Sequence, residues 1–287
     1  LDANNPITRF FVRYTNTGYT PGADTIGVTR GTGADVNTGL YDDISVSTIT
    51  SAAPTSGPQS NWRAVIGNAN PRHWYQLNEM NTAIAIDHGS AQQHAVYLNG
   101  TGPSTAVGLL DGGTAFDGVD DHINIGAPNL GGDWTAEFVI NKSATEPSGD
   151  LLRGPNGALR LDQWFNTGQI GFTEFGVADN LFPGAPMAPL GEWIHLAYVG
   201  SPGTGIDLYI DGELVASSGT YIPLPLTTIG GSEAFNGLLD EVVVFDRALS
   251  GQEIATHAAA LVVPEPATLS LLGLAGLAVT RRRRRAI

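Results

Sequence analysis

The chain has 287 residues, with 28 acidic and 14 basic groups, no cysteine, 37 glycines and 17 prolines. Apolar residues make up 42 %, enough for a packed core, which argues against a disordered chain; the length suggests one or two domains. Five of the 14 basic residues are Arg281–Arg285, so the remainder sets nine basic groups against 28 acidic ones, which disfavours a phosphate-backbone partner, and the missing cysteines exclude disulfides, thiol catalysis and cysteine-ligated zinc.

Charged residues are only 15 %, against roughly 25 % in ordinary soluble domains. Few charges with abundant glycine predict short strands joined by tight turns. The chain opens on Leu1 with no basic-then-apolar leader, the look of a trimmed start or a fragment. Gly39–Val46, which opens Gly-Leu-Tyr-Asp-Asp, echoes Gly237–Val244, which opens Gly-Leu-Leu-Asp-Glu. Residues 1–50 are therefore read as the last strands of a truncated upstream β-sandwich; a chance match is the alternative. Residues 51–61, small and carrying Pro54 and Pro58, read as a linker.

From Trp62 to Leu261 the pattern is mostly β. A short helical turn is expected at Asn61–Gly67. Trp134–Ile140 alternates, with Trp134, Ala136, Phe138 and Ile140 on one face, and Trp193–Val199 alternates too. Ile206–Ile210, Asp211-Gly212 and Glu213–Ala216 form a hairpin signal, because Asp-Gly supplies the positive φ angles of a two-residue turn. Further strands are expected at Ala158–Phe165, Gln169–Phe175, Thr227–Gly230 and Leu239–Phe245. Ser250 with Glu253 three residues on is a capping box for a helix to Leu261. The sum is an all-β, two-sheet antiparallel sandwich.

The last 26 residues, 262–287, have three parts. Pro264-Glu265-Pro266 blocks helix continuation, Ala267–Thr280 is uncharged, and Arg281, Arg282, Arg283, Arg284 and Arg285 follow. As a helix the uncharged run is about 21 Å long, short of a roughly 30 Å hydrocarbon core, so it crosses only with bilayer thinning and arginine snorkelling. The arginine cluster then stays on the cytoplasmic side. This order resembles the PEP-CTERM sorting signal of Gram-negative bacteria. The resemblance implies an exosortase-type membrane protease as partner, a transient inner-membrane anchor, and release to the cell surface or extracellular matrix.

Within 62–261, several segments line up: Trp74–Glu79, Ala85–Gly89, Tyr97–Gly100, Phe116–Ile125 (Phe-Asp-Gly-Val-Asp-Asp-His-Ile-Asn-Ile), and Leu239–Ser250 with Glu253, Ile254 and His257. Together they resemble the laminin-G-like, concanavalin-A-like jelly-roll domains of bacterial surface proteins. That implies two antiparallel sheets of six or seven strands each. The fold hosts lectins, glycosidases and adhesins alike.

Glucanases of that superfamily carry Glu-x-Asp-x-x-Glu on one strand, which this chain lacks. Trp134–Ile140 holds one acid, Glu137, so a non-enzyme is expected. The six histidines, 73, 88, 94, 122, 195 and 257, are scattered. The resemblance implies a structural calcium ion on an early and a late aspartate, expected at Asp87 and Asp240 with Glu79 third. The alternative is that Asp87 caps a turn and Asp240 ends a strand. Asp117, Asp120 and Asp121 read first as a turn and second as a calcium loop. Trp74, Trp134 and Trp193 are expected in the core, while Trp164, beside Gln163 and Asn166, packs inside or lies on the concave face. The functional expectation is a non-catalytic surface module binding a glycan or exopolysaccharide. The alternatives are a purely structural matrix protein or a divergent glycoside hydrolase or lyase.

Overall fold

The computed structural model describes residues 58–79, 83–102, 106–165, 168–184 and 187–261. The expected upstream strands, residues 51–57 of the linker, and the whole sorting tail with its apolar helix lie outside the described residues. No helix of the described residues is long and apolar enough to cross a membrane.

The domain is a jelly roll of two eight-stranded antiparallel sheets. One is built on β7 (Trp134–Ala144) and β16 (Asn236–Phe245). To one side lie β12 (Trp193–Ser201), β13 (Gly205–Ile210) and β14 (Glu213–Ser218). To the other lie β5 (Gly112–Asp117) and β4 (Ala106–Val107), with β1 (His73–Tyr75) pairing along β16. The second runs β11 (Ala178–Leu181), β10 (Gly171–Glu174), β9 (Gly157–Asp162), β8 (Gly149–Arg153), β15 (Thr228–Gly230), β6 (His122–Asn124), β3 (Ala95–Leu98) and β2 (Ile84–Ala85).

Alternation fills the space between the sheets. Trp134, Ala136, Phe138 and Ile140 of β7 meet Leu159, Leu161 and Phe172 of the second sheet in one core. Trp193 is only half-buried, packed on a second core with Trp74. The Asp211-Gly212 hairpin forms as expected, with φ of 50° and 86° and Ile210 opposite Glu213.

The second core lies on the outer face of the first sheet, under two helices, α1 (Pro58–Ala69) and α2 (Gly251–Ala260). α1 is longer than the expected turn and takes in residues 58–61 of the predicted linker. Proline at its first position loses no helical hydrogen bond, and Trp62, Val65, Ile66 and Ala69 form its apolar face. Asn70 then turns left-handed at φ 53° and Pro71 follows. α2 carries the full capping box between Ser250 and Glu253.

Even positions of β7 feed the inner core, so Glu137 points out beneath the helices, fully buried. His257 of α2 sets Nδ1 2.9 Å from Glu137 Oε2, and His195 Nε2 stands 3.9 Å from the same oxygen. Burial pushes the Glu137 carboxyl up, but the nearby His195 and the hydrogen-bonded His257 outweigh it and hold it below the usual range.

Candidate functional site

On β8–β10, Leu151, Leu152, Leu159, Leu161 and Phe172 face the core. A register shift follows Asp150, and the side chains of Asp150, Arg160 and Thr173 fall on the opposite face of the second sheet. Asp150 is directly across from Arg160, and its carboxylate lies 3.1 Å from Arg160 Nη1 and 2.6 Å from Arg153 Nη1. Glu233, between β15 and β16, accepts from Arg160 at 2.9 Å and from Arg153 at 3.1 Å. Arg160 also donates to Thr173 Oγ1 at 3.1 Å and to Ser148 Oγ. Burial pushes the Asp150 carboxyl up despite both guanidiniums. The better-solvated Glu233 is held low, because the arginines outweigh its burial.

Over this polar floor opens a cleft of about 500 Å³, walled by Trp164, Phe175, Val177 and Asp179. Trp164 lies just past β9 and is 40 % exposed. Its amide donates to Gln163 Oε1 at 2.8 Å, and the buried Gln163 amide group donates to the carbonyls of Phe172 and Asn180. The indole is thus carried on a loop pinned to β10 and to β11. Phe165, at φ 69° and largely exposed, sits edge-on at 5.3 Å. On the facing turn the Arg153 guanidinium lies 4.6 Å from the Phe175 ring centre. A flat aromatic wall beside fixed donors and acceptors is suited to a ligand with one apolar face and a hydroxylated rim, as a pyranose ring has.

Asp150 and Glu233 share one Arg153 nitrogen, so the cleft does hold two neighbouring carboxylates. Both are paired with guanidinium groups. Arg153, Arg160 and Glu233 escaped the sequence reading. The only signal was Arg160 alternating with Asp162 in an otherwise apolar strand. Asp162 pairs instead with the buried Lys142.

The expected early and late acids do not assemble into one ligand set. Asp87 accepts from His73 Nδ1 at 2.8 Å and from the amides of Trp74, Gly89 and Gln93 at 2.8, 2.8 and 2.9 Å. Burial alone pushes its carboxyl up, and those four bonds hold it low. All four come from groups that fix the 73–93 loop, which is the turn-capping role. Glu79 accepts from the Ile86 amide at 2.6 Å and the Tyr97 hydroxyl at 2.8 Å. Asp240 accepts from the Leu110 amide at 2.7 Å, while its Oδ1 is buried and meets no donor. Burial, then Asp111, pushes the Asp240 carboxyl up to about 7. Glu241, bonded to Trp74 Nε1 at 2.5 Å, is also pushed up by burial and by Asp240. Among the described residues, Asp117, Asp120 and Asp121 are the one trio of His, Asp or Glu side chains whose ligand atoms lie within 4.8 Å of one another. His94 Nδ1 accepts from the Asp87 amide and His88 packs edge-on against Trp74. Asn166, the expected neighbour of Trp164, and the Pro264, Glu265, Pro266 and Arg281–Arg285 signal lie outside the described residues.

Residues 117–255 match the laminin-G family model described as "Concanavalin A-like lectin/glucanases superfamily", and residues 262–285 match the "PEP-CTERM protein-sorting motif". The motif marks export and sorting in Gram-negative bacteria, with processing by an exosortase-type system. No curated protein matches the chain. Among solved structures the chain is similar to the botulinum neurotoxin serotype D binding domain, at 15 % identity and TM-score 0.52, over 68 % of this chain and 52 % of that one. It is also similar to Trypanosoma rangeli sialidase in complex with 2,3-difluorosialic acid, at 17 % identity and TM-score 0.50, over 66 % of this chain and 32 % of that one. The chain thus spans about a third to a half of these structures' length. At such identity the likeness is one of fold alone.

Proposed function

We propose that this protein is a non-catalytic binding module displayed at the bacterial surface or in its matrix, and that it holds a glycan in the cleft beside Trp164. The observation that carries the reading is the half-exposed indole on a pinned loop above a prearranged polar floor. Opposite a hydrogen-bonding floor an exposed indole is a stacking platform. The sequence lacks the Glu-x-Asp-x-x-Glu strand of the superfamily's glucanases, which supports binding rather than hydrolysis. The exosortase-type protease acts at the Pro264-Glu265-Pro266 signal while the Ala267–Thr280 run and Arg281–Arg285 hold the chain at the inner membrane.

The test is a glycan array probed with the purified full chain, alongside a hydrolysis assay on every glycan that binds. Selective binding without turnover is expected. Turnover would move the protein to the glycosidases, and silence across a broad array would leave the matrix-building role.

A further inference from the structure

We propose that the cleft beside Trp164 selects glycans that carry a free amine, hexosamine units without their N-acetyl group, over glycans that carry carboxylates. The inference rests on the glycan-binding reading and names the ligand class of that same site. It follows from the balance of charge around the cleft and from which of those charges a ligand can reach.

Two guanidiniums and four carboxyl groups meet here. Arg153, Arg160, Glu174, Asp179 and Glu233 line the cleft, and Asp150 lies fully buried beneath it. Both cations are already paired. Arg160 is 2 % exposed, and all three of its nitrogens are engaged: Nε with Thr173, Nη1 with Ser148 and Asp150, and Nη2 with Glu233. Arg153 is half-buried, its Nη1 holds both Asp150 and Glu233, and its guanidinium lies against the Phe175 ring. A carboxylate on a ligand would meet two neutralised cations and an excess of like charge, which opposes binding. The nine basic and 28 acidic groups outside the arginine tail add a repulsive field of the same sign.

The acids at the mouth are not neutralised in this way. Thr173 and Asp179 stand opposite each other in the β10–β11 pairing, so the Asp179 side chain lies on the cleft face, where Oδ1 accepts from Thr173 Oγ1 at 2.7 Å. Asp179 is exposed, and among the described residues neither it nor Glu174 ion-pairs with a Lys, Arg or His side chain. Ring and carboxylate share one frame: the Gln163 side chain that accepts from the Trp164 amide also donates to the carbonyl of Asn180, next to Asp179. An aromatic face beside carboxylates without a counter-charge is suited to an ammonium group, which the ring attracts through its quadrupole and the carboxylates through charge-assisted hydrogen bonds. N-acetylation removes that charge, and a carboxylate reverses it.

Calorimetric titration of the purified full chain with three β-1,4-linked trisaccharides, of glucosamine, of N-acetylglucosamine and of a uronic acid, tests the selection. The glucosamine trimer should bind at least about tenfold more tightly than its acetylated counterpart, and the uronate should not bind. Asp179→Asn, at an exposed edge-strand position that keeps the fold, should bring the first two within about threefold. Glu213→Gln, an exposed acid on β14 of the other sheet, should leave the preference as it is. Equal affinities in the parent, tighter binding of the uronate, or a preference that falls as far in Glu213→Gln as in Asp179→Asn would overturn the inference, the last by showing attraction to an acidic surface at large. Where Trp164→Ala abolishes the binding in those cases, the glycan reading of the cleft stands without its amine preference. Silence toward the glucosamine trimer while other glycans bind through Trp164 overturns the inference alone. Silence across a broad array, or binding indifferent to Trp164→Ala, overturns the reading of the cleft and the inference with it.

Discussion

His257 Nδ1 lies 2.9 Å from Glu137 Oε2, joining the closing helix to the outer face of β7 across 120 positions of sequence. A carboxylate only accepts, so Nδ1 carries the proton. Burying the Glu137 carboxylate is costly, and the two imidazoles offset that cost.

Removing one partner leaves the other buried and uncompensated. Glu137→Ala should destabilise the domain by about 3–5 kcal/mol. The measurement is urea unfolding; an unchanged midpoint would show that the helices are held by the Trp62, Ile66 and Ile254 packing alone.

Trp164→Ala should separate binding from stability. The side chain is 40 % exposed, so unfolding should shift by no more than about 0.5 kcal/mol. Loss of a central aromatic platform should cost about 2 kcal/mol or more in affinity for an array-identified glycan, roughly thirtyfold. Wild-type affinity in this variant would remove the cleft from consideration as the binding site.

Stability should fall on the alkaline side. The Asp240 carboxyl titrates at about 7 in the fold, against roughly 3.9 in an unfolded chain. The fold favours its protonated form, so this contribution is complete below pH ~4 and is lost as pH rises through about 7. Three units bound the effect at about 4 kcal/mol. Denaturant midpoints at pH 5 and 8 measure it, and Asp240→Asn should flatten the difference.

Replacing Pro264, Glu265 and Pro266 with alanine should leave the tail uncleaved and the chain in the membrane fraction of an exosortase-bearing host. Immunoblots of membrane and medium read the outcome, and normal release of the variant would sink the sorting role.

Much of this protein was legible in its sequence, because the signals are local. Alternation placed Trp134, Ala136, Phe138 and Ile140 in the core, Asp211-Gly212 named its own turn, and Ser250 with Glu253 named a helix start. The tail was legible for the same reason: proline block, apolar run and arginine cluster follow one another directly. The sites were not local. Asp150, Arg153, Arg160 and Glu233 span 84 residues and meet only because β8, β9 and the β15–β16 segment converge on one face. In sequence Asp87 and Asp240 were alike only as an early and a late acid of the jelly roll, and Asp240 lies inside β16 rather than at a strand end. Tertiary packing gave Asp87 four donors and left one Asp240 oxygen with none. Periodicity decides which face a side chain takes; which partners wait on that face depends on long-range strand pairing, and no single segment encodes it.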